Sequence, residues 1–328
     1  MSWYDTNLVL IQATITGLLL ALSIQIPLRM GVFSFAGVGA YGFGCYAGAV
    51  LVLDHQMAAL PTILVTTLAG GLIVLVLGLF INRLNGLTLA MATVAFDLII
   101  GVVAVNGGET TGGATGRYGV ISDFTMGHMW TILVVVMVLV ALSERGKLGR
   151  RIDAVRDDPE LASSVGIRVY NYRLAAFFVS GLLGAAAGAM NILVRSAITP
   201  LDIGFHLIVL ALTMIIVGGS LSWKGAVIGA VVFTWLPDVL QVIGEWQELV
   251  YGVIVAVAAV LMPRGIYGLY VEAKRAVLRR RRTRRGAVRA AVAAERARTT
   301  DDDEALAEME DDLGSPSVTP GGSMGANL

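Results

Sequence analysis

The chain has 328 residues, 56% of them hydrophobic and 15% charged, with a mean hydropathy of +0.76. A soluble domain is nearer a quarter charged and carries no repeated apolar runs of about 20 residues, so composition excludes a soluble globular protein. The net charge of zero averages six arginines between Arg279 and Arg285 against eight carboxylates between Asp301 and Asp312.

The opening stretch, MSWYDTN, has no positive charge ahead of the first apolar run, so residues 8–26 read as a retained first helix and not a cleaved leader. Eight further apolar segments follow, at 31–53, 57–81, 86–105, 127–142, 174–194, 203–221, 225–243 and 247–262. Two of the nine, 127–142 and 247–262, are short, and the glycine-rich ones are open to being broken or re-entrant. The expected fold is all-α, a polytopic membrane protein with about nine transmembrane helices. Lysine and arginine concentrate in cytoplasmic loops. With the N-terminus outside, the inside receives Arg29, Arg83, seven basic residues from Arg145 to Arg173, Lys224 and everything from Arg264 onward. Only Arg117 and Arg195 of the 24 basic residues then fall outside, which places the C-terminus in the cytoplasm.

Within the second segment, GVGAYG at 37–42 matches a dinucleotide-binding pattern, but it lies in a membrane run and not between a strand and a helix. Ala36, Ala40, Gly44 and Gly48 fall instead at spacing four on one helix face, a small-residue stripe that lets helix backbones approach in lipid. Gly184 with Gly188, and Gly225 with Gly229, repeat the device. Cys45 is a small packing residue in the same run. GGSLSWKG at 218–225 is not a phosphate loop, since no G-x-x-x-x-G-K-[ST] occurs, and His55, His128 and His206 are scattered. No metal-ligand spacing and no nucleophile–base set is present, which argues against an enzyme, and the arginine run of a membrane protein faces headgroups or solvent sooner than nucleic acid.

Asp97 is the ionisable residue deepest in an apolar run, in the fourth segment. Such a residue faces a cavity or a partner, so it serves either a translocation pathway or a structural hydrogen bond to a neighbouring helix. Asp238, beside Pro237, is nearer a helix end and structural. The stretch from Gly107 to Gly116, with Glu109, Thr110 and Thr111, reads as a flexible external loop.

A polar island, RDDPELASSVGIRVYNYR at 156–173, interrupts the apolar pattern. Asp158 suits a helix N-cap, Pro159 the first helical position, and Glu160 the positive end of the helix dipole. Gly166 sits where a glycine ends a helix, leaving about two turns, 159–165, with Leu161, Ala162 and Val165 as an apolar patch. A helix this short is marginal in water and needs a surface to dock on. Its own protein, lipid, or a groove on a cytoplasmic partner would each serve. Tyr170, Tyr172 and Arg173 mark the return to the membrane interface.

The run AVRDDPELASSVGIRVYNYRLAAFFVSGLLGAAAGAM (154–190) resembles the coupling-loop region of permease subunits of branched-chain amino acid ABC transporters, closest to their M-type subunit. FSFAGVGAYGFGCYAGAVL (33–51), LTLAMATVAFDLI (87–99, with Asp97 at the family's acidic position) and TMIIVGGSLSWKGAVIGAVVFTWLPDVLQ (213–241) resemble three further stretches of that family, in order. The resemblance covers residues 15–265; GGETTGGATG follows the family's Thr-Gly-Gly-x-x-Gly loop only loosely, and FSFAG replaces Ser-Leu-Gly-Gln.

The resemblance implies an ABC importer permease fold in a bacterial inner membrane. The chain would form half of a pathway completed by a second homologous permease subunit. Two ABC ATPase subunits would carry the ATP and Mg, with no cofactor in this chain, and an extracytoplasmic binding protein would deliver substrate. Asp158, Pro159, Glu160, Leu161, Ala162, Val165 and Gly166 would form the ATPase-coupling helix. The domains expected are a permease domain over 1–266 with its coupling loop at 144–173, a basic helical cytoplasmic extension over 267–298, and an acidic disordered tail over 299–328. Sugar, urea and amide permeases share much of the pattern. An ion-coupled secondary transporter or a scaffold recruiting partners through the charged tail are rivals of other classes.

Overall fold

A computed structural model describes residues 6–220, 222–261 and 265–269. The acidic tail expected over 299–328, and all of the basic extension expected over 267–298 except residues 267–269, therefore lie outside the described residues. Within them, each of the nine apolar segments is a helix. Seven are long and apolar enough to cross a bilayer: α1 (Leu8–Arg29), α2 (Ala36–Leu53), α3 (Ala59–Ile81), α4 (Gly86–Asn106), α5 (Met126–Ser143), α8 (Val169–Arg195) and α10 (Trp223–Leu240). Between α5 and α8 lie two short polar helices, α6 (Gly146–Asp157) and α7 (Pro159–Ser164). The remaining apolar helices, α9 (Phe205–Gly218) and α11 (Gln247–Leu261), have 14 and 15 residues. At 1.5 Å per residue each covers about 21–23 Å, short of a roughly 30 Å hydrocarbon core.

The lengths differ from expectation where punctuation residues act. Segment 127–142 gains one residue at each end and reaches 18 residues. The expected 203–221 segment is trimmed at both ends: Pro200–Ile203 forms a 3-10 turn before α9, and Gly219 at φ +118 stops it after Gly218. Residues 169–173, expected only as an interface marker, belong to a continuous α8 of 27 residues.

α8 is the hub, lying against α1, α2 and α3. The reason is its composition: Gly184, Ala185, Ala186, Ala187, Gly188 and Ala189 are all buried, so backbones rather than side chains meet at this interface. A Cβ on Gly184 would sit 2.0 Å from the Gly37 carbonyl oxygen, and one on Gly188 2.0 Å from that of Tyr41. From the other side, a Cβ on Gly44 would sit 2.3 Å from the Ala185 carbonyl oxygen, and Gly48 faces Ile192 at 3.1 Å. Ala36 and Ala40 are buried on the same α2 face. α9 and α10 join by the same means, with Gly229 set to strike the Met214 carbonyl oxygen at 1.8 Å and Gly225 that of Gly219 at 2.2 Å. With little hydrophobic driving force between helices in lipid, such close approach supplies dispersion contact instead. α4 and α5 carry large aliphatic side chains and are mostly exposed.

Several threonine hydroxyls inside the bundle are satisfied locally, whereas those of Thr67 and Tyr46 are buried without a partner among the described residues. Thr14, Thr62, Thr66, Thr93 and Thr213 each donate to a carbonyl one turn back, as a low-dielectric setting demands. Ser180 on α8 instead donates across to the Ser23 carbonyl of α1 at 2.6 Å.

The helices alternate, so one end of the bundle gathers the α1–α2, α3–α4 and α9–α10 turns with α6 and α7. The opposite end gathers the turns after α2, α4, α8 and α10. There the glycine-rich stretch 107–116, expected as a flexible loop, is tied down. It forms a 3-10 turn at Gly113–Thr115 and leads into β1 (Arg117–Tyr118), paired antiparallel with β2 (Ala197–Ile198). Gly116, at φ +81, approaches so closely that a Cβ would meet the Ile198 carbonyl oxygen at 2.1 Å. Arg117 pairs with Asp54, and Asp123 Oδ1 accepts the Ala59 N–H at 3.0 Å, capping α3.

Candidate coupling loop and membrane carboxylate

α7 is built by its caps. Asp158 Oδ1 accepts the N–H groups of Glu160 at 3.0 Å and Leu161 at 2.9 Å, and Pro159 fills the first helical position, where no N–H is needed. At the other end Gly166, at φ +84, donates to the Ser163 carbonyl at 3.0 Å while Ile167 donates to that of Ala162 at 3.0 Å. This is a Schellman closure, and it leaves a helix of six residues, one shorter than expected. The anticipated apolar patch is divided. Ala162 turns inward at 2% exposure, whereas Leu161 and Val165 stand out at 62% and 69%. Ala162 therefore anchors the knob, and its outer surface is made by Leu161 and Val165 with Glu160 beside them, because residues four apart share a face and the intervening one does not.

The sequence reading missed α6. Leu148, Ile152 and Val155 recur at helical spacing in its otherwise charged sequence, and Ile152 and Val155 are each 1% exposed. That spacing was legible, but the helix hides among arginines. α6 leads straight into Asp158, so the knob rides on an amphipathic helix docked against α1 and α8.

A second feature with no sequence signal is the joint formed by Glu144, the last residue before α6 but one. Its carboxylate accepts the Trp223 N–H at 3.0 Å and the Ser222 hydroxyl at 3.4 Å, and lies 3.4 Å from Arg29 Nη1. Glu144 thus caps the N-terminus of α10 from the turn between α5 and α6, where the dipole favours negative charge. Arg29, at the end of α1, is 5% exposed. The three residues are 115 and 79 positions apart in sequence (Arg29 to Glu144, Glu144 to Trp223), so no local pattern joins them.

Asp97 lies at the middle of α4 and is 1% exposed. It faces α2 one turn beyond Thr93, whose hydroxyl accepts the Phe35 N–H at 3.0 Å. A Cβ on Gly39 would come within 3.3 Å of the Asp97 Cα, so a glycine lets α4 sit this close. The interhelical hydrogen bond considered for Asp97 is not made among the described residues, and its Oδ2 is buried without a partner. Asp238, by contrast, accepts the Gln241 side-chain amide at 3.3 Å near the end of α10, a local contact. Between α2 and α8, Asn191 donates to the Tyr41 hydroxyl, and Cys45 Sγ lies 3.2 Å from the Gly188 carbonyl oxygen. Among the described residues no group of three or more His, Cys, Asp or Glu side chains is placed to hold a metal ion.

Residues 7–259 match a family model described as the branched-chain amino acid transport system permease component. The chain is 22% identical over 278 residues to the high-affinity branched-chain amino acid transport system permease protein LivM of Salmonella typhimurium, covering 73% of this chain and 63% of that protein. It is 21% identical over 291 residues to LivM of Escherichia coli, covering 77% and 68%. Over 147 residues it is 29% identical to the fructose import permease protein FrcC of Rhizobium meliloti, covering 42% and 40%. The chain thus spans somewhat under two thirds of the Salmonella relative's length. No solved structure matches it. A hub of small residues, seven helices among the described residues long and apolar enough to cross a bilayer, and a family match over most of the chain make this a multi-pass membrane protein that belongs to the branched-chain amino acid transport permease family.

Proposed function

We propose that the chain is the permease subunit of an ATP-driven ABC importer, carrying branched-chain or related amino acids across the bacterial inner membrane. The observation that carries this reading is α7: a knob capped at both ends that holds Leu161 and Val165 out of their own protein. Two exposed aliphatic side chains on so rigid a mount suit insertion into a partner's groove, and membership of a transport-system permease family supports an ATPase subunit as that partner. In this reading the α6–α7 end is cytoplasmic, in line with its basic residues. A second permease subunit completes the pathway, and an extracytoplasmic binding protein supplies substrate. ATP and Mg belong to the ATPases, and this chain performs no catalysis. ATPase closure pulls on α7, and the Glu144 joint passes that movement to α1 and α10. Asp97 lies on the route.

The match to a fructose import permease supports a second reading within the same class, in which the cargo is another small solute such as a sugar, urea or an amide. Purification of the tagged chain from its native membrane, with partners identified by mass spectrometry, tests the class. ATPase subunits should copurify with wild type and be lost when residues 160–165 are replaced by Gly and Ser. Reconstitution with those partners and comparison of labelled leucine with fructose decides the cargo. Solute movement by the chain alone in ATP-free liposomes would overturn the proposal.

A further inference from the structure

α5 stands away from α3 and α8, and between them runs an apolar groove of about 780 Å³, floored at one end by α6. Leu64 of α3, Val135 and Leu139 of α5, Val179 and Leu182 of α8 and Leu148 of α6 line it. We infer that this groove is a binding site for an anionic phospholipid, with one acyl chain along α5 and the headgroup phosphate at α6.

Three observations converge on that occupant. The first is depth. The α5 lining runs from Ile132 to Ser143. Eleven steps at 1.5 Å give about 16 Å, close to half of a roughly 30 Å hydrocarbon core and so to one leaflet.

The second is surface character. Helices that meet in lipid use small residues, and here those residues are taken up at the α2–α8 and α9–α10 contacts. The groove face of α5 is Ile132, Val135, Val136, Leu139 and Val140, which suits a flexible chain better than a second helix.

The third is charge. Lys147 and Arg151, four residues apart on α6, form an exposed strip beside Leu148, and neither has an ion-pair partner among the described residues. The nearby carboxylates are already engaged: Glu144 with Arg29 and Trp223, Asp153 and Asp157 with Arg156. Like charges at this spacing repel, and a headgroup phosphate at the groove mouth relieves that repulsion. Tyr172 lines the same groove and offers a hydroxyl at interface depth, while the Ser143 hydroxyl beside it is spent on the Val140 carbonyl. Basic pockets between membrane helices are the setting in which anionic headgroups are held.

Because α6 carries α7, the bound lipid would steady the mount of the coupling knob. The site itself does not depend on the transport reading or on sidedness.

The test uses the full chain in phosphatidylcholine vesicles holding a trace of acyl-spin-labelled phosphatidylglycerol or phosphatidylcholine, with no ATP or partner present. Motionally restricted label should favour phosphatidylglycerol, by about fivefold for each contributing cation. Lys147→Gln with Arg151→Gln, both on the surface, should equalise the two lipids. Ala175→Trp, which fills the groove, should reduce the restricted fraction for both. Equal restriction of the two lipids by wild type would overturn the site. So would efficient cross-linking through Leu139→Cys to a second copy or another permease subunit, which would show that protein occupies the groove.

Discussion

Arg29 Nη1 and Glu144 Oε1 lie 3.4 Å apart at a joint where α1 ends, α5 ends and α10 begins. Arg29 has no other charge partner among the described residues, and its Nε is buried without an acceptor. Removing one member of a buried pair strands the other, at a cost of about 3 kcal/mol or more. Glu144→Ala should therefore lower the thermal midpoint in detergent, followed by far-ultraviolet circular dichroism, by several degrees. Glu144→Gln keeps an acceptor for the Trp223 N–H and should fall between the two. If Glu144→Ala unfolds with wild type, the joint is only a surface contact.

The two sides of α7 should separate stability from coupling. Leu161 and Val165 touch solvent, so Leu161→Ser with Val165→Ser should leave the thermal midpoint within a degree or two while ATPase subunits no longer copurify. Asp158→Ala removes both cap bonds and should cost about 1 kcal/mol locally, seen as faster amide exchange over 159–166. Retention of the ATPases by the Leu161/Val165 variant would remove α7 from the coupling role.

Glycines of the same helix-rich class should respond very differently to one methyl group. Gly188→Ala sets a Cβ 2.0 Å from the Tyr41 carbonyl oxygen, so α2 and α8 must part, with an expected loss of about 3 kcal/mol. Gly101 on α4 meets nothing within 4 Å. Gly101→Ala should leave stability unchanged or raise it by up to about 1 kcal/mol through helix propensity. Thermal midpoints of the two variants side by side would decide whether the small-residue hub holds the bundle.

Much of this was legible because the governing patterns are local. Asp158, Pro159 and Gly166 announce α7 through cap chemistry that acts within a few residues. The Gly-and-Ala stripes announce the hub through spacing alone. What escaped was of two kinds. α6 was hidden because its apolar positions, Leu148, Ile152 and Val155, sit among arginines that read as loop. The Glu144–Arg29–Trp223 joint was hidden because it is a tertiary contact, and neither a lone glutamate after an apolar run nor a lone arginine before one points to the other. The division of the α7 patch came from rotation about the helix axis: its composition was readable, but which side faces inward depends on what it docks against.

Asp97 offers the sharpest contrast between a structural and a transport role. A carboxylate kept at 1% exposure with Oδ2 unpartnered contributes no hydrogen bond whose loss would be felt, and burying it is costly. Asp97→Asn should therefore keep or raise the thermal midpoint. If the side chain serves the pathway, the same variant should lower ATP-driven uptake in proteoliposomes by roughly tenfold, about 1.4 kcal/mol of barrier. Asp97→Leu, which removes polarity altogether, should lower uptake at least as far without unfolding the protein. A drop in stability with uptake per folded molecule unchanged would reverse the assignment. It would make Asp97 a structural residue of the α2–α4 contact.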